Sequence, residues 1–175
     1  MDSGNIGFVL LCAAFVFVMT PGLAMFYGGL VRKKNVVNTM MTSIFIIGVG
    51  IVMWVLFGYS LSFAPSGNAF IGDFRWLGLE GVSLTEGYTD DASIPNMVFS
   101  AFQMMFAVIT PALITGAVAG RMKFKSIFVF TIFWSLIVYY PLAHMVWGQG
   151  GLLGADGIGA LDFAGGDVVH ISSGV

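Results

Sequence analysis

The sequence has only two histidines, and one of them, His170, follows a stretch of mostly apolar residues. If that stretch is a helix beginning near Phe163, His170 lies about eight residues into it, roughly 12 Å from the helix end at 1.5 Å per residue. A neutral imidazole has one ring nitrogen that donates a hydrogen bond and one that accepts. Such a ring could line a path for a small polar neutral molecule, or could bond to a neighbouring helix.

Aromatic side chains elsewhere in the chain could bind a cation. Phe99, Phe102 and Phe106 have the i, i+3, i+7 spacing of one helix face, where rings could close a pore against ions and water. Trp147 could hold a cation over its ring face, and His144 lies one turn before it on the same side. The chain has 17 phenylalanines. The Phe stripe is therefore also explained as packing or lipid-facing surface, and Trp147 as an interfacial tryptophan.

Asp162 is followed by Phe163-Ala164-Gly165-Gly166 at the expected start of the same helix as His170. An aspartate in this position is typical of a helix N-cap, because its carboxylate can accept hydrogen bonds from the first free backbone N–H groups. The sequence predicts that Asp162 orders the backbone at the mouth of that helix.

Other kinds of site are disfavoured by spacing. The glycines between 148 and 154 lack the G-x-G-x-x-G pattern of a dinucleotide site, and the residues around Ser172 and Ser173 do not form G-x-S-x-G. His144, His170 and the single cysteine, Cys12, do not have metal-ligand spacing. We therefore expect no cofactor, no metal site and no enzyme activity.

The elements that hold these residues are membrane helices. The chain of 175 residues is 58% hydrophobic and only 9% charged, whereas soluble domains carry about 25% charged residues. At about 20 residues per crossing, four or five spans fit. The net charge of −2 offers nothing to neutralise a nucleic acid backbone. The predicted spans are 6–31, 36–64, 95–120, 126–147 and 163–175, the last one truncated.

The basic residues indicate how the spans are oriented. Six of the seven Lys and Arg residues lie in the short links after the first and third spans, and all nine acidic residues lie elsewhere. By the positive-inside rule the basic links are cytoplasmic and the N-terminus is outside. The outer segment 65–94 then reads as an ordered extracellular loop or cap.

Two local patterns predict how the helices pack. Proline at position 21 interrupts the first span, and a helix defect of this kind is tolerated in lipid only where protein surrounds it. Ala112, Gly116 and Gly120 recur every four residues in the third span. This ridge of small residues allows helix backbones to approach closely.

Several motifs match one known family. The run Asp162-Phe163-Ala164-Gly165-Gly166-Asp167-Val168-Val169-His170-Ile171 closely resembles the signature of the ammonium transporter (Amt/Mep/Rh) family. The run Ala143-His144-Met145-Val146-Trp147-Gly148 is similar to its fourth-helix motif. Thr20-Pro21-Gly22, the run Phe26 to Arg32, and Ala101-Phe102-Gln103 with Phe106 resemble further family segments in the same order. The similarity covers the whole chain and favours the Amt branch.

The resemblance implies a fold and a set of roles. The fold would be all-α, a polytopic transmembrane bundle of the ammonium transporter type, with about four complete spans plus the start of a fifth. Trp147 and Phe102 would bind ammonium by cation–π contact, and Phe106 would be one ring of a gate beneath them. His170 would be the first of two pore histidines, and Asp162 would order the backbone.

The resemblance also implies partners and a location. These are ammonium or ammonia, the lipid bilayer of the plasma (inner) membrane, a homotrimeric assembly and a cytoplasmic regulatory protein. The family's second pore histidine and second gate ring belong to later helices, so we expect residues 1–175 to be the N-terminal part of a transporter domain that does not conduct alone. The alternatives are an ammonium sensor coupled to a signalling domain, and an intramembrane enzyme, for which no nucleophile–base pair is found.

Overall fold

The computed structural model describes residues 1–65, 68–155 and 157–175. In these residues every regular element is helical, and four helices are long and apolar enough to cross a membrane. The predicted fold class, an all-α bundle with four complete spans and the start of a fifth, is confirmed. The helices are α1 (Ser3–Leu30), α2 (Lys33–Phe63), α3 (Asn96–Val118), α4 (Phe124–Trp147) and α5 (Gly166–Ile171, continued as Ser172–Gly174).

The first helix continues through its proline. Asp2 caps α1 by accepting a hydrogen bond from the backbone N–H of Asn5 at 2.8 Å, which satisfies one of the free N-terminal donors. Thr20, directly before Pro21, is completely buried. Because the remainder of α1 is mostly exposed, the proline lies at a point where the helix is covered by protein, as expected.

Small residues set the spacing between α1 and α3. Ala112 is completely buried, and a Cβ placed on Gly116 would lie 2.5 Å from the ring of Tyr27. The Tyr27 hydroxyl donates to the carbonyl of Leu113 at 3.0 Å. Gly116 therefore makes room for the Tyr27 ring, while Gly120 has a left-handed φ of 71° and follows the end of the helix. The ridge thus includes one packing glycine and one terminating glycine.

Both α2 and α4 contain a π-helical turn, at Trp54–Gly58 and Ser135–Tyr139. Large aromatic side chains from the two turns and the residues just after them fill the centre of the bundle, and four of them are 0–1% exposed: Trp54, Tyr59, Tyr139 and Tyr140. Trp54 donates from its ring N–H to Ser100 in α3. The π turns therefore lie where α2, α3 and α4 share one aromatic core.

Gly58 packs directly against the Tyr140 ring, because a Cβ at position 58 would lie 2.7 Å from that ring. We expect Gly58→Ala to destabilise the protein by about 1–3 kcal/mol, since overpacking forces buried rings to move. Gly48→Ala on the same helix is the control, because a Cβ there meets nothing within 4 Å. Thermal melting in detergent should show a lower Tm for Gly58→Ala alone. Equal Tm values for the two variants would contradict this packing.

The long link between α2 and α3 is an ordered cap over one end of the bundle. The Ser60 hydroxyl accepts from the backbone N–H of Trp76 at 3.0 Å, and the Trp76 ring stacks on Tyr59 at 5.4 Å. The backbone N–H of Asp2 donates to the Ser93 carbonyl at 2.8 Å, which joins the start of α1 to the same cap. The expectation of an ordered 65–94 segment thus holds for its described residues; Ser66 and Gly67 lie outside them.

Candidate functional site

Three of the predicted site residues lie together at one end of the bundle. The rings of Phe102 and Phe106 are 5.0 Å apart at 82°, and those of Phe106 and Trp147 are 6.4 Å apart at 68°. All three side chains are half-buried, so part of each remains accessible. Phe102 and Phe106 lie on α3, and Trp147 ends α4. We call Phe102, Phe106 and Trp147 the aromatic trio.

Phe99 does not belong to this trio, although it shares their helical spacing. Its ring stacks on Tyr88 of the cap at 4.8 Å and 7°, and meets Phe63 edge-on at 5.1 Å. The stripe predicted from the i, i+3, i+7 spacing therefore divides into a packing residue and two residues that face Trp147.

His144 does not face the trio either. Its side chain is completely buried, and its two ring nitrogens face two carbonyl oxygens. The distances are 3.1 Å from Nδ1 to the carbonyl of Ser62 and 2.8 Å from Nε2 to that of Asn68. A neutral imidazole can donate to only one of these, whereas an imidazolium donates to both. His144 thus joins the C-terminal ends of α2 and α4 to the cap, one turn before Trp147.

The segment after Trp147 is held against the cap as well. The backbone N–H of Gln149 donates to the Tyr88 hydroxyl at 3.0 Å, and the Gln149 side chain donates to the Tyr88 carbonyl at 2.8 Å. Burial raises the pKa of Tyr88 to about 12, so the hydroxyl stays protonated at neutral pH. Gly151 has its α-carbon against the carbonyls of His144 and Met145, where a side chain would not fit. The Trp147 end of α4 is therefore fixed from two sides.

Asp162 orders the start of α5, but not as its N-cap residue. The helix begins at Gly166, after Gly165 in the left-handed conformation at φ 75°. The Asp162 carboxylate reaches forward to accept from the backbone N–H of Val168 at 3.2 Å through Oδ2. Its other oxygen, Oδ1, is buried and has no hydrogen-bond partner in the described residues. The bond from Val168 is the kind of contact that was expected, between the Asp162 carboxylate and a backbone N–H at the start of α5.

His170 lies closer to the start of its helix than the sequence predicted. Because α5 begins at Gly166 instead of Phe163, the histidine is about one turn from the helix end, not eight residues from it. Its side chain is exposed in this chain. The helix packs beside α3 and the end of α4, so the structure places α5 next to the two helices that carry the trio.

The sequence interpretation missed Tyr88 and the contacts of His144. Tyr88 lies in a link with no recognisable pattern, and the buried contacts of His144 come from residues 76 and 82 positions away. Only the position of His144 within the Ala143–Gly148 motif signalled it. Within the described residues, no group of three or more His, Cys, Asp or Glu side chains is arranged to hold a metal.

Comparison with known proteins decides which family this arrangement belongs to. The family model described as the Ammonium Transporter Family matches residues 7–175. The chain belongs to the ammonium transporter family. It is therefore a multi-pass membrane protein of a transporter family, and the family predicted from its motifs is confirmed.

Individual relatives cover the whole chain. An ammonium transporter of Bacillus subtilis is 53% identical over 175 residues, which are 100% of this chain and 42% of the relative. An ammonium transporter of Aquifex aeolicus is 45% identical over 177 residues, covering 100% of this chain and 40% of the relative. The chain thus spans about two-fifths of the length of the curated relatives that it matches.

Solved structures share the fold. Saccharomyces cerevisiae Mep2 has a TM-score of 0.88 and 36% identity, over 99% of this chain and 40% of that one. Candida albicans Mep2 has a TM-score of 0.87 and 33% identity, over 99% and 37%. A protein described as a sensor Amt protein has a TM-score of 0.79 and 27% identity, over 95% and 40%.

Proposed function

We propose that the protein containing this chain transports ammonium or ammonia across the plasma (inner) membrane, and that residues 1–175 are the N-terminal part of its transporter domain. The observation that carries the proposal is the aromatic trio: three half-buried rings from α3 and α4, next to the start of the helix that carries His170. No covalent chemistry is required of this site.

The trio has the chemistry of a cation site. Ring faces attract a cation electrostatically, and they do so more strongly when water is partly excluded. Trp147 and Phe102 would bind ammonium at the outer surface, and Phe106 would close the path beneath them. The half-burial of all three rings supports this arrangement, since each can contact the protein and a ligand at once.

Passage beyond the trio favours the neutral molecule. A charge at the centre of the bilayer costs about 2.5–3.5 kcal/mol on insertion scales, so an apolar pore conducts ammonia better than ammonium. His170 would then offer ammonia a hydrogen-bond donor and an acceptor below the gate. Asp162 supports this role, because it fixes the backbone of the helix on which His170 lies.

The proposed topology follows from charge. With the basic links after α1 and α3 in the cytoplasm, the N-terminus and the trio lie on the outer side. Family membership supports a homotrimer, each subunit with its own pore, and a cytoplasmic regulatory protein as a further partner.

Uptake into liposomes tests the proposal. The full-length protein, purified and reconstituted, should take up radiolabelled methylammonium faster than empty liposomes, and unlabelled ammonium should compete. Potassium should not be taken up in the same assay, because it cannot lose a proton to become neutral and an apolar pore favours the neutral molecule. Uptake no faster than in empty liposomes would refute transport.

A sensor function is the second candidate. It is favoured by the similarity to a protein described as a sensor Amt protein, at 27% identity. In that case the reconstituted protein would bind ammonium without uptake, and the full-length sequence would contain a cytoplasmic signalling domain. Binding measured by calorimetry together with absent uptake would select this alternative.

A further inference from the structure

One residue of the cap, Tyr88, connects the two helices that carry the aromatic trio. Its ring lies against α3, where it stacks on Phe99 at 4.8 Å and 7°. Its hydroxyl and its carbonyl oxygen lie against the end of α4, where both accept hydrogen bonds from Gln149. Phe99 comes one turn before Phe102 on α3, and Gln149 comes two residues after Trp147. Tyr88 therefore contacts each helix, or the chain that continues it, within one turn of a trio residue.

Tyr88 is held to α3 by the backbone of the cap as well as by its ring. The backbone N–H of Asn96 donates to the Glu86 carbonyl at 2.8 Å, and that of Met97 donates to the Ser83 carbonyl at 3.0 Å. These two bonds satisfy free N-terminal donors of α3 with carbonyls of the segment just before Tyr88. The stacked ring adds a preferred geometry, because offset stacking is favoured between aromatic rings. The position of Tyr88 is therefore fixed relative to the first turns of α3.

The other attachment of Tyr88 lies directly after Trp147. Because α4 ends at Trp147 and Gly148 continues with an extended backbone at ψ 152°, the position of the ring depends on what holds the next residues. The backbone N–H of Gln149 donates to the Tyr88 hydroxyl at 3.0 Å, and the Gln149 side chain donates to the Tyr88 carbonyl at 2.8 Å. Two bonds between the same pair of residues fix both distance and orientation. They attach the Trp147 end of α4 to a residue that is itself fixed on α3.

We propose that Tyr88 is a positioning residue for ammonium binding, which sets the distance between α3 and α4 at the aromatic trio. This inference rests on the proposed transport function. A ring attracts a cation that lies within about 6 Å of its centroid, and the centroids of Phe106 on α3 and Trp147 on α4 are 6.4 Å apart. A cation between them is in reach of both rings only while this separation is kept. A shift of Trp147 away from α3 weakens the contact with one ring.

Two substitutions in the full-length protein remove the bonds one at a time. Tyr88→Phe keeps the stacked ring and removes the acceptor for the Gln149 backbone N–H, whereas Gln149→Ala removes the side-chain donor and leaves the backbone bond. Each should raise the KM for methylammonium uptake about threefold, the effect of one neutral hydrogen bond, and the double variant about tenfold. The maximal rate should change less than about twofold. A wild-type KM in the double variant would overturn the proposal.

Tyr59→Phe is the matched control. The Tyr59 hydroxyl donates to the side-chain oxygen of Asn96, so this variant also loses one buried hydroxyl bond at the start of α3, while the bonds between Tyr88 and Gln149 remain. Both tyrosine variants should lower the Tm in detergent, but only Tyr88→Phe should raise the KM. An equal rise in KM for Tyr59→Phe would show that general loosening of the bundle weakens binding, and would overturn the specific role of Tyr88.

A second measurement does not depend on transport. Crystal structures of the full-length wild type and of the double variant Tyr88→Phe/Gln149→Ala should differ in the separation of Phe106 and Trp147, by more than about 0.5 Å. The separation of Phe102 and Phe106, which share α3, should stay the same. Unchanged separation of Phe106 and Trp147 would overturn the positioning role. Rings that move apart in a protein without methylammonium uptake would support the positioning of Trp147 and refute the transport function, so the two failures are distinguishable.

Discussion

Trp147→Leu in the full-length protein should raise the KM for methylammonium uptake about tenfold, because a cation–π contact is worth about 0.5–2 kcal/mol. Leucine retains the apolar contact with Phe106 but has no ring face for a cation. The maximal rate should change less than the KM, since the variant loses binding at the outer site. Uptake measured over a range of substrate concentrations separates the two quantities.

Trp134→Leu is the matched control for this change. Trp134 lies on the same helix and packs on Tyr139 at 6.1 Å, away from the trio. Its loss removes an equally large ring without touching the proposed site, so the KM per folded protein should stay within about twofold of wild type. An unchanged KM in Trp147→Leu, or an equal increase in Trp134→Leu, would show that Trp147 does not bind the substrate.

His170→Ala should lower the maximal uptake rate about tenfold or more while the KM changes little. A polar molecule that enters an apolar path without a hydrogen-bond partner meets a penalty of about 1–3 kcal/mol. Alanine leaves ammonia without the donor and acceptor that imidazole provides. The rate at saturating substrate measures this effect, because the outer site is already filled.

Two variants control for the position of His170. His170→Gln keeps a donor and an acceptor and should recover part of the rate. Ser173 lies one turn further along α5, where its hydroxyl donates to backbone carbonyls of the preceding turn, at 2.7 Å to Val169 and 3.5 Å to His170. Ser173→Ala leaves the imidazole in place and should transport like wild type. If His170→Ala shifted the KM and left the rate unchanged, His170 would belong to the outer site and not to the pore.

The sequence predicted those features that depend on local pattern. Uncharged apolar runs define the spans, because a membrane requires helices whose backbone bonds are internal. The motifs around Trp147 and Phe106 identified two rings that the structure brings together. For Asp162 the sequence predicted an N-cap, because aspartate at a helix start commonly accepts from free backbone donors; the structure shows one such bond, from Val168, while Gly165 takes the N-cap position.

Two features were not predicted from the sequence: the contacts of His144 and the residue at which α5 begins. The partners of His144 are carbonyls of another helix and of the cap, and no local pattern encodes them. The start of α5 was placed three residues early, because either glycine of the pair Gly165-Gly166 could have stood within the helix. The structure puts Gly165 in the left-handed conformation, which excludes it.

The π turn in α4 also determines the direction in which Trp147 points. A π turn adds one residue to the helix without adding a turn, and each residue of an α-helix corresponds to about 100° of rotation. Trp147 lies after this extra residue. Its side chain therefore points about 100° away from the direction that a regular α-helix starting at Phe124 would give it. Deleting a single residue between Ser135 and Tyr139 would restore a regular helix and turn the Trp147 ring away from Phe106. The arrangement of the aromatic trio therefore depends on one additional residue in the middle of α4.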